Sequence, residues 1–150
     1  MKLKEWALVA EIASGIAVLI TLLILVIGVR DNTNVTRAAV YANLMSDINQ
    51  FNLSMVNDPE LSLLWSGDRG IEEMADEEAS RLILLNRVLY RIYEAAYFSY
   101  GNGSLGFSQW ERFQGTICTV RQRRDPALWS NTASILTSEF RSYVEDSCVD

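Results

Sequence analysis

The segment from Trp6 to Val29, WALVAEIASGIAVLITLLILVIGV, constrains this chain more than any other, because no residue from Ile12 to Val29 is charged. As a helix, its 24 residues extend about 36 Å, enough to cross a hydrocarbon core of about 30 Å. A lone segment in lipid must satisfy its own backbone polar groups, so only a helix is suitable there. The segment predicts a single-pass membrane protein.

A cleaved signal peptide is the alternative interpretation of the same segment. A signal peptide has an apolar region of about 7 to 15 residues followed by a small-x-small cleavage site. Here the apolar run is longer, and it ends in Ile27-Gly28-Val29-Arg30 without such a site. We therefore expect a short N-terminal tail over 1–5, an uncleaved transmembrane helix over 6–29 and a soluble helical domain over 30–150.

The charges that flank the apolar segment are almost balanced. Lys2, Lys4 and the α-amino group precede it, and Arg30 and Arg37 follow it. The positive-inside rule counts basic residues near the ends of a span, and the amino terminus favours a cytoplasmic N-terminus. The domain would then be periplasmic if the host is a bacterium.

Glu11 lies about one turn inside the apolar segment. An intramembrane acidic residue is a candidate functional residue. The other interpretation is that Glu11 reaches the headgroups beside Lys4 or lies at a protein contact. We favour the second, because charges near the end of a span cost less than central ones.

Residues 30–150 contain 11 Arg and 17 Asp or Glu, so the domain carries a net charge of −6. An acidic domain argues against nucleic acid as a partner, because phosphate backbones bind basic surfaces. About 120 residues suffice for one modest hydrophobic core.

Helical periodicity accounts for most of the domain. Apolar residues recur at helical spacing from about 34 to 57, and Asp58-Pro59 ends that helix. The strongest helix is expected to start with Asp76 as N-cap and to end at the glycines from Gly101. Its apolar face comprises Leu82, Leu85, Leu89, Ile92 and Ala96, broadened by Leu84, Val88, Ala95 and Phe98.

Three further helix starts are predicted. A helix over about 107–124 is expected to have Ser108 as its cap, and Asp125-Pro126 has the pattern of an N-cap followed by the first helical residue. Thr137 or Ser138 begins the last helix. No segment alternates like a strand. The predicted fold is therefore all-α, with a single N-terminal transmembrane helix followed by a small antiparallel helical bundle.

The segment Gly101–Gly106 matches G-x-G-x-x-G, and Asp125 follows 19 residues later. A dinucleotide site requires this motif after a strand in a βαβ unit. Here it follows a helical pattern, so we interpret it as a turn between helices.

Other signs of catalytic chemistry are sparse. The chain has no histidine, the usual general base and the commonest metal ligand. The acidic run over 72–78 lacks the ligand spacing of a calcium loop. We predict no catalytic residue, no cofactor, no metal site and no enzyme activity.

Two sets of residues have open interpretations. Arg87, Arg91 and Glu94 share a helix face beside Tyr90. This face is either an anion site or, as we prefer, a stripe of ion pairs and hydrogen bonds. Cys118 and Cys148 would pair outside the cytoplasm, which is worth about 3 to 4 kcal/mol in the chain-entropy model. In the cytoplasm they would be small apolar residues.

Several short pieces together resemble a family of small bacterial membrane proteins in which an apolar segment with an acidic residue leads through Arg-x-Asn-Thr into a helical domain. The pieces are Glu11-Ile12-Ala13, Arg30-Asp31-Asn32-Thr33, Arg37-Ala38-Ala39, Asn57-Asp58-Pro59-Glu60-Leu61, Arg91-Ile92-Tyr93-Glu94, Trp110, Trp129 and Glu139-Phe140-Arg141-Ser142-Tyr143-Val144. Val29 departs from the family, where Ile after Gln is frequent. The resemblance implies a bacterial inner-membrane protein and supplies no activity or site.

Three functions follow as hypotheses. The first is a non-catalytic accessory or scaffold protein whose partners are the lipid bilayer and either a larger membrane complex or a second copy of itself. The second is a membrane-anchored bundle that senses a small ligand, at the Arg87 and Arg91 face or in an interhelical cavity. The third, which we favour least, is an enzyme that uses Glu94 or Glu111.

Overall fold

The chain is all-helical over the residues that the computed structural model describes, 2–67 and 69–148, and no strand occurs among them. This confirms the predicted all-α class. The elements are α1 (Lys2–Asn57), α2 (Pro59–Ser66), a single 3₁₀ turn (Ile71–Glu73), α3 (Asp76–Gly101), α4 (Phe107–Arg123), α5 (Pro126–Ala133) and α6 (Ser138–Ser147).

Contacts between Cα atoms divide the chain into two units, 1–38 and 39–150. The first unit holds the apolar part of α1, which is long and apolar enough to cross a membrane. Every side chain described from Glu11 to Ala38 is exposed, and Leu23, for example, is 63% exposed. The helix begins at Lys2, within the predicted tail, and continues without a break through the expected domain boundary at residue 30. Met1 lies outside the described residues.

The second unit is a helical bundle with one main hydrophobic core. Leu44 and Phe51 of α1 are buried in it, and Tyr41 and Met45 are half-buried against it. The remaining buried members come from α3 to α6 and the loops between them: Leu89, Tyr90, Ile92, Tyr93, Ala96, Leu105, Trp110, Phe113, Ile117, Trp129, Ala133, Leu136, Phe140 and Val144.

The predicted apolar face of α3 is only partly correct. Leu82, Leu89, Ile92 and Ala96 are buried, and Leu85 is half-buried. The four residues expected to broaden this face are exposed instead: Leu84, Val88, Ala95 and Phe98. Two polar residues, Asn86 and Glu94, are buried in α3 and have hydrogen-bond partners on other segments, so the buried face is turned away from those four positions.

Two predicted helix starts are confirmed, and Asp58, predicted only to end the preceding helix, also caps α2. The Asp58 carboxylate accepts hydrogen bonds from the backbone N–H groups of Glu60 and Leu61, both at 3.1 Å. The Asp125 carboxylate accepts one from the N–H of Ala127 at 2.8 Å, with proline in the first turn of α5. The Thr137 hydroxyl is the N-cap of α6.

Two predicted caps, Asp76 and Ser108, are wrong. Helix α3 has Ala75 as its N-cap, and α4 has Gly106. In both, the third helical residue accepts a hydrogen bond from the N-cap N–H: the Glu78 carboxylate at 3.3 Å and the Gln109 amide oxygen at 2.9 Å. This is the half of a capping box that needs no hydroxyl or carboxylate at the N-cap.

The glycine-rich segment 101–106 connects α3 to α4, as predicted for a turn. Gly103 has a φ of +77°, a left-handed conformation that favours glycine. Since helices flank the motif on both sides, the strand that a dinucleotide site requires before it is not there.

Candidate functional site

Tyr90, one of the residues predicted for the polar stripe of α3, belongs to the core. It is 1% exposed, and its ring lies 5.7 Å from that of Tyr93 and 5.1 Å from that of Trp129. Burial raises the pKa of its phenol far above the ordinary value of 10.0, although the charges of Arg121 and Arg124 lower it in part. The hydroxyl group is therefore neutral at physiological pH.

Glu94 is a buried carboxylate with two partners. One oxygen accepts a hydrogen bond from the Thr137 backbone N–H at 2.7 Å, and the other lies 3.1 Å from the Arg91 guanidinium. Glu94 itself is 5% exposed, whereas Arg91 remains exposed. The carboxylate thus ties the middle of α3 to the start of α6, and both of its oxygens are engaged.

Arg87 is directed to a different element. Its Nε and Nη2 atoms donate hydrogen bonds to the carbonyl oxygen of Asn131 on α5, at 3.3 and 3.0 Å. The structure therefore brings together Arg91 and Glu94 but not a convergent set of Arg87, Arg91 and Tyr90. These contacts connect helices.

An open groove runs along the exposed side of α3. We call it the α3 groove; its volume is about 740 Å³. Its exposed apolar surface is provided by Leu84, 59% exposed, and Val88, 51% exposed. The residues that line it are Asp47, Gln50, Phe51, Ser54, Leu84, Leu85, Arg87, Val88, Arg91, Ile92, Ala95 and Ile135.

A smaller and more aromatic cavity lies on another side of the bundle. We call it the interhelical cavity; its volume is about 390 Å³, and α1, α2, α3 and α4 all contribute to it. Its lining residues are Tyr41, Met45, Ile48, Phe51, Asn52, Met55, Trp65, Leu89, Tyr93, Gln109, Arg112, Phe113, Thr116 and Val120.

The interhelical cavity could have been found from one pattern that the sequence interpretation did not use. Gln109, Phe113, Thr116 and Val120 recur at spacings of three and four, which places them on one face of α4. Arg112 is adjacent to that face. The sequence alone does not tell which other helices cover it.

The remaining predicted residues are separate from both surfaces. Glu11 lies exposed in the first unit, where its carbonyl oxygen accepts a hydrogen bond from the Ser14 hydroxyl at 2.8 Å. Cys118 and Cys148 form a disulfide, with their Cα atoms 4.8 Å apart, between α4 and the residue after α6. Glu111 is exposed on α4.

Across 2–67 and 69–148, no group of three or more histidine, cysteine or acidic residues is arranged to hold a metal ion. Comparison of the chain with family models, curated proteins and solved structures finds no match in any of the three.

Proposed function

We propose that this is a non-catalytic accessory or scaffold protein, anchored by α1 in the bacterial inner membrane, whose domain docks on a partner through the α3 groove. The length and apolar composition of the first unit support the anchor. The resemblance of its sequence pieces to a family of small bacterial membrane proteins supports the bacterial source.

The Cys118–Cys148 disulfide supports a periplasmic position for the domain. Disulfides form and persist in oxidising compartments such as the periplasm and are rare in the cytosol. This agrees with the orientation favoured by the amino terminus and by Lys2 and Lys4.

The exposed apolar surface of the α3 groove is the observation that carries the docking proposal. Leu84 and Val88 are one helical turn apart on the same face of α3, and both are more than half exposed. Neighbouring exposed apolar side chains that line a groove provide the kind of surface that interaction sites use.

The groove chemistry points to the kind of partner. A groove between α1 and α3 fits an amphipathic helix that inserts apolar residues at spacings of three and four. Of the two arginines that line the groove, Arg91 is paired with Glu94, whereas Arg87 makes no ion pair with the residues that the structure describes. An acidic residue beside the apolar face of the partner helix would therefore suit it best.

The test is extraction of the tagged full-length protein from its native membrane in mild detergent, followed by mass spectrometry. We expect a stoichiometric protein that is retained by the wild type and lost from the Leu84→Glu, Val88→Glu variant. The control is Leu53→Glu, which changes a residue 56% exposed on α1 that does not line the groove.

Two results would contradict docking at this surface. One is a partner that remains bound to the groove variant as strongly as to the control. The other is a wild-type protein that is strictly monomeric and carries no partner after gentle extraction. Groove-dependent self-association would make a second copy the partner.

A further inference from the structure

The interhelical cavity has the dimensions and composition of a small-molecule site. Ligand cavities in proteins are about 300 to 1,000 Å³ and are mainly apolar with a few polar groups. This cavity, at about 390 Å³, lies at the small end of that range. Aromatic rings from different helices form much of its wall, with the Phe51 and Trp65 rings 5.3 Å apart in an edge-to-face contact.

The charge on the cavity wall is opposite in sign to that of the domain. Arg112 is the charged residue among those that line it, and no aspartate or glutamate contributes to the wall. The domain as a whole carries a net charge of −6. The Arg112 guanidinium makes no ion pair with the residues that the structure describes, so its charge is available to a ligand.

Tyr93 supplies a second polar group. The residue is 2% exposed and lines the cavity, yet within 2–67 and 69–148 no group hydrogen-bonds to its hydroxyl. Burial raises the pKa of this phenol far above 10.0. It is therefore a neutral donor on an apolar cavity wall, and a bound molecule with an acceptor can take its hydrogen bond.

The apolar wall suits a flat or branched body. Aromatic rings stack offset or edge-to-face on a ligand ring. Met45 and Met55 have flexible side chains that adapt to ligands of different outline. The ligand body must be apolar, because burying a polar surface against the apolar part of the wall costs free energy unless that surface is hydrogen-bonded.

From these features we propose that the interhelical cavity binds a small carboxylate with an apolar, aromatic body, whose carboxylate pairs with Arg112 and whose body lies against Trp65 and Phe113. This binding site goes beyond the proposed docking function and uses different residues. It would make the domain responsive to such a metabolite.

The experiment uses the full-length protein in nanodiscs, with empty nanodiscs as the blank, and ¹⁹F NMR of 3-(4-fluorophenyl)propionate. We expect saturable broadening of the ligand signal, and competition by 3-phenylpropionate. The uncharged 3-phenylpropanamide should compete at least about tenfold more weakly, because it lacks the charge-assisted hydrogen bonds to Arg112.

Two variants locate the binding. Arg112→Gln should reduce the affinity for the carboxylate to that for the amide, while Arg123→Gln, which changes an exposed arginine on α4 away from the cavity, should leave it unchanged. Thr116→Trp places a large ring in the cavity from an exposed position and should abolish binding of both ligands. Circular dichroism checks that each variant is folded.

Several outcomes would overturn the proposal. Absence of saturable binding to the wild type would remove this ligand class. Equal binding of carboxylate and amide, unaffected by Arg112→Gln, would remove the role of the charge. Binding that persists in folded Thr116→Trp would show that the ligand sits elsewhere, in the lipid or on the surface. None of these results depends on whether a protein partner docks at the α3 groove.

Discussion

Glu94 is the buried acidic residue of α3, and its role is to hold α3 and the start of α6 in position. A buried carboxylate requires both hydrogen bonds and an opposite charge to offset its lost hydration. The Thr137 N–H provides the first and Arg91 the second. Because one carboxylate serves both, the residue couples the register of α3 to the start of α6.

We expect Glu94→Ala to lower the free energy of unfolding of the domain by about 2 to 3 kcal/mol, because it leaves the Thr137 N–H without its acceptor. Glu94→Gln retains an acceptor oxygen and should cost less. The measurement is denaturant unfolding of the full-length protein, followed by the near-ultraviolet signal of the aromatic core.

The control for this prediction is Glu77→Ala. Glu77 forms an exposed pair with Arg81 at 3.0 Å, one turn further along α3. Exposed pairs are worth little, so this variant should change stability by no more than about 0.5 kcal/mol. If the two variants were equally stable, Glu94 would have no coupling role.

Tyr90 and Tyr93 predict how stability depends on high pH. Burial raises the pKa of both phenols above 10.0, so the folded domain binds their protons more tightly than the unfolded chain does. Their contribution is therefore fully present below pH 10 and is lost as the pH rises above it, where the unfolded chain ionises first. The melting temperature should fall progressively above pH 10.

Phenolate absorbance near 295 nm checks the assignment to these two residues. In the folded protein, Tyr90 and Tyr93 should stay protonated and should ionise only as the domain unfolds. The Tyr90→Phe, Tyr93→Phe double variant should reduce that late absorbance and leave the part that comes from Tyr97 and Tyr143, whose pKa values burial also raises. A wild-type protein in which every tyrosine titrates near pH 10 while still folded would contradict the prediction.

At the scale of elements, the Cys118–Cys148 disulfide connects α4 to the end of α6 across a separation of 30 residues. Closing a loop of this length removes entropy from the unfolded chain, and in the chain-entropy model this stabilises the fold by about 3 to 4 kcal/mol. We expect Cys118→Ser, Cys148→Ser to lower stability by about this amount. Denaturant unfolding measures it, and the reduced wild type should match the double variant. Addition of a reductant to the double variant should have no further effect.

The elements differ in how well local chemistry predicted them. Asp125 was predicted as a cap, and Thr137 or Ser138 as the start of the last helix, because a short polar side chain before proline or an apolar helix is itself the signal. The starts at Ala75 and Gly106 were missed because their side chains carry no acceptor. In both, the N-cap N–H instead donates to the side chain of the third helical residue. The signal was still local, because Glu78 and Gln109 lie only three residues after their caps.

The same division applies to the faces of α3. Periodicity identified the helix and its buried line through Leu82 and Leu89, but it also assigned Leu84 and Val88 to the core. The side of the apolar stripe that becomes buried is set by the hydrogen-bond partners of Asn86 and Glu94. Asn86 contacts Thr132, 46 residues away along the chain, and Glu94 contacts the Thr137 N–H, 43 residues away. The α3 groove and the interhelical cavity are tertiary features for the same reason.

For the whole molecule, membrane orientation and disulfide chemistry are linked. Basic residues flank the apolar segment almost equally, with Lys2 and Lys4 before it and Arg30 and Arg37 after it, so the amino terminus decides the preference. A periplasmic domain lets Cys118 and Cys148 oxidise, whereas a cytoplasmic one would keep them reduced. The membrane orientation and the oxidation state of Cys118 and Cys148 must therefore agree.

We expect fusion of alkaline phosphatase to the C-terminus to give active enzyme, and fusion of an ordinary green fluorescent protein at the same place to remain dark. In intact cells, a maleimide reagent should fail to label the native cysteines unless a reductant is added first. The matched control is Ser99→Cys, which adds a single unpaired thiol on α3. A fluorescent fusion together with cysteines that react without reductant would place the domain in the cytoplasm and reverse the proposed orientation. Because the disulfide and the fusion report on the same compartment by independent chemistry, agreement between them would fix the topology in which the α3 groove and the interhelical cavity meet their partners.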